Sequence, residues 1–315
     1  MTPDIVRDAV LQRMARGSAP SMDGWTRELL VPLVKDPICL DAVTLLTSCL
    51  LDGRYTAEAT AREILLTAEL HAFPKDDGGI RPISVQSALV RLAEHVALLL
   101  IDPAIVDGIL SESQYGVGRG TEAAFHSVQR WVDETGGDND VMGLLLIDFS
   151  NAFNTASRAR ILEKVYADPK LKPLWGIAHL TLGAPSAVRL FDRKGGVFKE
   201  CRSAQGVRQG SVLGSFAFSL LIDDSLRRLG AHVKVTAYID DVTLLVRCSD
   251  LASAGGVDAY VEKVKQFFEG TNLSVNKKKT VLLRRPDAPS CGATSACIVV
   301  DNVTRLLGGA VGWLT

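Results

Sequence analysis

The acidic pair in Tyr238-Ile239-Asp240-Asp241 has the strongest potential for chemistry. Before it, residues 232–238 alternate, with Val233, Val235 and Ala237 on one face and Lys234, Thr236 and Tyr238 on the other. After it, residues 242–246 are β-branched and apolar. Two strand-like runs joined by so short a link read as a hairpin with Asp240 and Asp241 in its turn. Two like charges at one tip raise each other's energy unless a cation neutralises them. Asp also favours turns for local reasons, so a metal site and an ordinary turn are both open at this point. A third carboxylate, Asp148, follows the continuous apolar run 141–147. That run reads as a strand buried on both faces, and the C-terminal end of such a strand is where α/β folds place chemistry. Three hard-oxygen ligands suit Mg²⁺, and two such ions about 4 Å apart clamp the oxygens of a phosphoryl transfer.

Other stretches add polar groups. Lys75 and Arg81 flank the turn Asp76-Asp77-Gly78-Gly79 and share one hairpin. They read either as solvated cations or as a pair for a triphosphate, to which Arg brings bidentate contacts. In residues 205–211, Gly206 and Gly210 flank polar residues just before an apolar helix that Ser211 or Ser215 would cap, so backbone there could approach a ligand closely. Lys277, Lys278, Lys279, Arg284 and Arg285 form the one dense basic cluster, either a solvated face or a phosphate contact. The glycine spacing of residues 114–121 fits neither a P-loop nor a dinucleotide fingerprint.

These residues need elements to hold them. At 315 residues, 47% hydrophobic and 23% charged, the chain has the composition of a soluble globular protein with a sizeable core. A net charge of −1 leaves any nucleic-acid contact to local clusters. The six cysteines, Cys39, Cys49, Cys201, Cys248, Cys291 and Cys297, include no Cys-x-x-Cys pair and read as reduced thiols of an intracellular protein. There is no signal peptide, and no apolar run reaches the ~20 residues of a membrane span. Helical periodicity covers residues 4–14, 25–34, where Pro32 would kink or split the helix, 40–51, 58–70 and 87–101, the last with His95 as a structural residue. Further helices are expected over 122–132, N-capped by Thr121, over 158–166, and over 257–268 up to Gly270. Two short strands are expected around Lys194-Gly195-Gly196.

In this order the motifs resemble the reverse transcriptases, in particular those of non-LTR (LINE-like) retrotransposons, across nearly the whole chain. Residues 18–25 are similar to the N-terminal extension motif of that group. Phe73-Pro74-Lys75 with Ile80-Arg81-Pro82-Ile83 resembles the fingers hairpin that binds the incoming triphosphate. Gln114-Tyr115-Gly116-Val117 with Gly120-Thr121 resembles the next fingers motif, which contacts template. Asp148 with Phe153 resembles the first palm motif, residues 206–211 the second, and Tyr238-Ile239-Asp240-Asp241 the catalytic third. Residues 273–280 resemble the fourth, and Leu306-Leu307-Gly308 the primer grip.

The resemblance implies an α+β right-hand polymerase with an antiparallel palm sheet backed by helices. It implies an N-terminal extension and helical base over 1–70, fingers over 71–135, and a palm over 136–285 with a fingers insertion near 170–205. Residues 286–315 would be a primer-grip region leading to a thumb that is largely missing. By the same resemblance Asp148, Asp240 and Asp241 hold two Mg²⁺ ions, with Mn²⁺ able to substitute, and Lys279 donates a proton to pyrophosphate. Phe153 excludes a ribose 2′-hydroxyl. Lys75 and Arg81 bind the triphosphate, and Gln209, Gly210 and Tyr238 complete the substrate-binding set. The implied partners are an RNA template, a DNA or RNA primer, deoxynucleoside triphosphates and further domains of a longer polyprotein, with no membrane. The implied setting is a cytoplasmic ribonucleoprotein and the nucleus. Ile239 stands where the group usually has Ala, Arg208 where many have Pro, and Asn154 where Asp or Ser is common; none of these removes a carboxylate. An RNA-dependent RNA polymerase shares the two-Asp hairpin, but Phe153 and Tyr238-Ile239 argue against it. An inactive RNA-binding scaffold would not need all three Asp.

Overall fold

The computed structural model describes residues 1–55, 57–74, 78–101, 109–192, 195–290, 294–301 and 303–313. Lys75, the Asp76-Asp77 half of its turn, Lys194 and Cys291 lie outside the described residues. The fold is mixed α+β. Its strands in chain order are β1 (Ala68–Pro74), β2 (Ile80–Val85), β3 (Val141–Ile147), β4 (Ser186–Phe191), β5 (Val197–Ser203), β6 (Val235–Tyr238), β7 (Asp241–Arg247), β8 (Val281–Arg284), β9 (Ile298–Asp301), β10 (Val303–Leu306) and β11 (Gly309–Gly312). The chain divides into two compact units, Met1–Val106 with Ser157–Ala217, and Asp107–Ala156 with Phe218–Thr315.

In the first unit, helices start where their caps dictate. Thr26 accepts from Leu29 N–H to open Arg27–Leu33, Asp36 from Cys39 N–H to open Pro37–Leu51, and Ser87 from Leu89 N–H to open Ala88–Leu99. Their apolar stripes meet Pro3–Asp8 and the π-helical turn Ala9–Arg13 in a core that includes Val6, Val10, Leu30, Val34, Val43 and Leu92. Pro32 falls in the last turn of Arg27–Leu33 and does not split it. The helix expected over 58–70 is shorter, Ala59–Leu66, because Thr67 turns extended and residues 68–74 become β1. Tertiary pairing overrode helical periodicity there: β1 has β2 antiparallel on one side and β4 parallel on the other, in the order β2-β1-β4-β5.

The second unit is built on the sheet β6-β7-β3-β8-β9. β3 runs antiparallel to both β7 and β8, and almost all of it is buried, as its unbroken apolar run predicts. Leu144, Leu245 and Leu283 from these strands pack with Val128 and Trp131 of helix Gly120–Glu134 and with Trp313. The wholly antiparallel sheet expected from the sequence needs one correction, since β9 pairs parallel to β8. The connection over 285–297 is long enough to bring the chain back to the starting end of β8, which a tight turn cannot do. A second correction concerns helix Gly120–Glu134. Arg119 rather than Thr121 is its N-cap, without a side-chain bond, and the left-handed Gly118 and Gly120 shape the entry.

Gly143 decides how tightly the central strands meet. A Cβ there would lie 2.0 Å from the Leu283 carbonyl oxygen, and the β3–β7 register shifts between Val141 and Gly143. Gly143→Ala should therefore cost about 1–3 kcal/mol through backbone displacement. Urea denaturation measures this, and an unchanged midpoint would mean that β3 and β8 separate freely.

Candidate active site

The hairpin sits where the alternation placed it, but its turn residues differ from those expected. Tyr238 pairs with Asp241, so the turn consists of Ile239 and Asp240, and Asp241 is the first residue of β7. The register leaves room for only one acid in the turn. Ile239 takes the other place with φ 57°, a left-handed conformation that a β-branched side chain rarely adopts. On the neighbouring strand Ile147 pairs with Val242, so Asp148, the next residue along, comes level with Asp241. Asp241 keeps access to solvent, yet the protein around it desolvates the carboxyl. That burial, together with the charges of Asp240 and Asp148, pushes its pKa up to about 6.

Asp148 is held by its backbone. Its N–H donates to Thr280 Oγ1 at 3.3 Å, and its carbonyl accepts from Asn276 N–H at 2.7 Å. Phe149 bridges to Val275, and Ser150 N–H donates to the Ser274 carbonyl. The segment 274–280 is thus tied to the strand end that carries Asp148. Lys279 lies on it, exposed in the turn before the buried Thr280. Asn151, itself left-handed with φ 49°, turns the chain into the short helix Ala152–Thr155. That helix carries Phe153, whose ring stacks on the fully buried Phe218 with centroids 5.1 Å apart and planes within 3°.

Among the described residues, no three His, Cys, Asp or Glu side chains are disposed to hold a metal ion as they stand. The strand register nevertheless sets Asp148 level with Asp241. The repulsion felt by Asp241 is the electrostatic condition that a bound cation relieves, and carboxylate oxygens are the donors that Mg²⁺ or Mn²⁺ takes.

In the first unit, Arg81 is exposed on β2 opposite Phe73. Gln209 and Gly210 are tied to the same strand. The Gln209 carbonyl accepts from Ser84 N–H at 3.0 Å, and Gly210, at φ 109°, leaves no room for a Cβ, which would sit 2.7 Å from the Ser84 carbonyl oxygen. Two residues that sequence reasoning missed shape this loop. Arg158 donates to the carbonyls of Gly206 and Ser203, and burial together with the nearby Arg62 brings its guanidinium down to about 10. The fully buried Glu94 accepts from Gln86 Nε2, Ser211 Oγ and Val212 N–H, so it caps helix Val212–Gly230 in place of the expected serine. Its one sequence signal is an acid in the apolar row Val90, Ala97, Ile101.

The basic cluster separates on folding. Arg284 pairs with Asp301, the buried Arg285 donates to the Thr135 and Asp138 carbonyls, and Lys277 pairs with Glu262, so the two arginines are structural. His95 stays neutral, since burial brings its pKa down to about 4.

The chain matches the family described as "Reverse transcriptase (RNA-dependent DNA polymerase)" over residues 73–301, which include all three carboxylates. The chain belongs to the reverse transcriptase family. It is 32% identical over 281 residues to the retrotransposable element SLACS 132 kDa protein of Trypanosoma brucei gambiense, covering 88% of this chain and 22% of that protein. It is 27% identical over 253 residues to the retrovirus-related Pol polyprotein from type-1 retrotransposable element R1 of Bradysia coprophila, covering 78% and 24%. It is 24% identical over 259 residues to the RNA-directed DNA polymerase from mobile element jockey of Drosophila melanogaster, covering 76% and 27%. The chain therefore spans about a quarter of the length of these relatives. It is a reverse transcriptase domain of the non-LTR, LINE-like kind, and divalent metal is general to its family. Among the described residues no helix is long and apolar enough to cross a membrane.

The raised pKa gives this reverse transcriptase a pH signature. Asp241 keeps its proton up to about 6 when folded, against 3.8 for the ordinary carboxyl, so metal-free stability falls as pH rises from 4 through 6. Asp241→Asn should therefore melt higher than wild type at pH 7.5 in chelator, with the difference vanishing near pH 4. Calorimetry across that range checks it, and a pH-independent difference would show that Asp240 and Asp148 do not act on Asp241.

Proposed function

We propose that this reverse transcriptase domain extends a primer 3′-hydroxyl with deoxynucleoside triphosphates by two-metal phosphoryl transfer, and that it works as part of a longer retrotransposon protein. One observation carries the reading: Asp148 comes level with Asp241 on adjacent strands, next to Asp240, and burial together with these neighbouring charges lifts Asp241 to about 6. In this reading the chain forms the fingers and palm of a right-hand polymerase, with fingers over 71–135 and the palm over 136–285.

Asp148, Asp240 and Asp241 would hold two Mg²⁺ ions. When bound, the ions acidify the primer hydroxyl and offset charge on the triphosphate. The primer oxygen then bonds to the α-phosphorus as the bond to pyrophosphate breaks, and Lys279 supplies a proton to the leaving group. Phe153, braced by Phe218, presents a flat ring that a ribose 2′-hydroxyl would strike. Tyr238, opposite Asp241 in the ladder, belongs to the substrate-binding set. Lys75 and Arg81 contact the triphosphate, and Gln209 and Gly210 contact the nucleotide. The RNA template, the primer, the cytoplasmic ribonucleoprotein and the nucleus are carried over from the family.

Primer extension on an RNA template tests the proposal. Asp240→Asn should lower the rate by on the order of 10²–10³-fold or more, the scale set by loss of one preorganised electrostatic group. Phe153→Val should admit ribonucleotides while keeping deoxynucleotide incorporation. A wild-type rate for Asp240→Asn sinks the mechanism, and unchanged sugar discrimination in Phe153→Val sinks the gate.

A further inference from the structure

The segment Ser113-Gln114-Tyr115-Gly116 runs beside the catalytic hairpin, and the chemistry proposed above does not use it. Ala237 N–H donates to the Ser113 carbonyl, and Tyr115 N–H donates to the Ala237 carbonyl, both at 2.8 Å, which makes a parallel bridge between Gln114 and Ala237. That bridge brings Gln114, only 2% exposed, against the hairpin tip. Its Oε1 accepts two backbone bonds, from Gly116 N–H at 3.0 Å and from Ile239 N–H at 3.2 Å. The amide orientation is set by this pair, since the reverse would put an NH₂ against two donors. The consequence is an unmet donor: Gln114 Nε2 is buried without a hydrogen-bond partner among the described residues. A buried polar group left half-satisfied needs a reason.

Ile239 supplies the reason. It is the residue forced to φ 57° immediately before Asp240, and its N–H is the one that Gln114 receives. Strained backbone of this kind persists only where its surroundings over-determine it. Gly116 adds a steric condition. A Cβ there would lie 2.4 Å from Ile239 Cγ1 and 2.7 Å from Ile239 N, so only glycine lets this segment reach the turn.

We propose that Gln114 is a positioning residue for polymerisation, its Oε1 holding Ile239 in the left-handed turn that sets Asp240 and Asp241 against Asp148. Gly116 provides the close approach on which that bond depends. Without the acceptor the turn relaxes toward φ below zero, the peptide on either side of Ile239 rotates, and Asp240 swings away from the strand end carrying Asp148. The inference rests on the reading of these three carboxylates as the metal-holding set.

Gln114→Met keeps the length and bulk of the side chain and removes the acceptor. Three results are expected. Hydrogen exchange at the Ile239 amide becomes fast. The kcat for deoxynucleotide addition falls about 10–100-fold while KM for primer–template stays within about 2-fold, the split that marks an interaction realised in the transition state. In an Ile239→Gly background, where positive φ carries no strain, the same substitution costs less than about 3-fold, because the strain that coupled the two sites is gone. Gly116→Ala, with Gln114 intact, lowers kcat in the same way and serves if Gln114→Met folds poorly. The proposal is overturned by retained Ile239 protection in Gln114→Met, by equal losses in the two backgrounds, or by unchanged kcat in Gly116→Ala. Wild type run beside Asp240→Asn separates the two ideas. If wild type makes no cation-dependent product, the polymerase reading falls, whereas exchange at Ile239 needs no activity and still decides the role of Gln114.

Discussion

Like charges do not gather unaided, and in this chain the antiparallel ladder between β3 and β7 holds them. Pairing of Ile147 with Val242 brings Asp148 level with Asp241, whose carboxyl is lifted to about 6 by burial and by repulsion from Asp240 and Asp148. The ladder can sustain that repulsion because β3 is paired on both edges, by β7 and β8, and because Leu144, Leu245 and Leu283 are buried with Val128 and Trp131. The apolar contacts are indifferent to which charged residue follows the strand. The register determines where the charges meet.

Within each unit, the loops with candidate roles are held by side chains that bond to backbone. Thr280 receives the Asp148 N–H, Gln114 receives those of Gly116 and Ile239, Glu94 receives that of Val212, and Arg158 donates to the Gly206 carbonyl. Each such bond satisfies a main-chain group that a loop would otherwise leave unpaired or give to water. Among the described residues the non-glycine left-handed ones, Asn151, Ile239, Asn272 and Leu307, all lie outside the strands. Asn151 follows Asp148, Ile239 precedes Asp240, and Leu307 lies in the turn between β10 and β11. Of these, Ile239 is met by a buried polar side chain, that of Gln114.

Much of this was legible in the amino acids. The alternation of 232–238 gave away the hairpin, the unbroken apolar run 141–147 gave away a strand buried on both faces, and caps such as Ser87 and Asp36 marked helix starts. Local patterns failed where a distant partner competed. Residues 68–70 continue the helical spacing of 58–70 yet open β1, and Thr121 has the chemistry of a cap yet lost that position to a glycine-shaped entry. The lysine- and arginine-rich stretch looked like one basic face, but its arginines were taken by Asp301 and by the Thr135 and Asp138 carbonyls.

By itself the sequence determined the identity and order of the candidate reactive groups, Asp148, then Phe153, then Asp240 and Asp241, then Lys279, because side-chain chemistry and strand periodicity are local properties. Only the tertiary structure decided that Asp241 is a strand residue rather than a turn residue, that β9 runs parallel, and that Glu94, Gln114 and Arg158 serve the loops. The reason is distance along the chain. Asp148 and Thr280 are 132 residues apart, Gln114 and Ile239 125, and Glu94 and Val212 118. No periodicity spans such gaps, and a buried polar side chain shows its purpose only when the backbone group it satisfies has been folded against it.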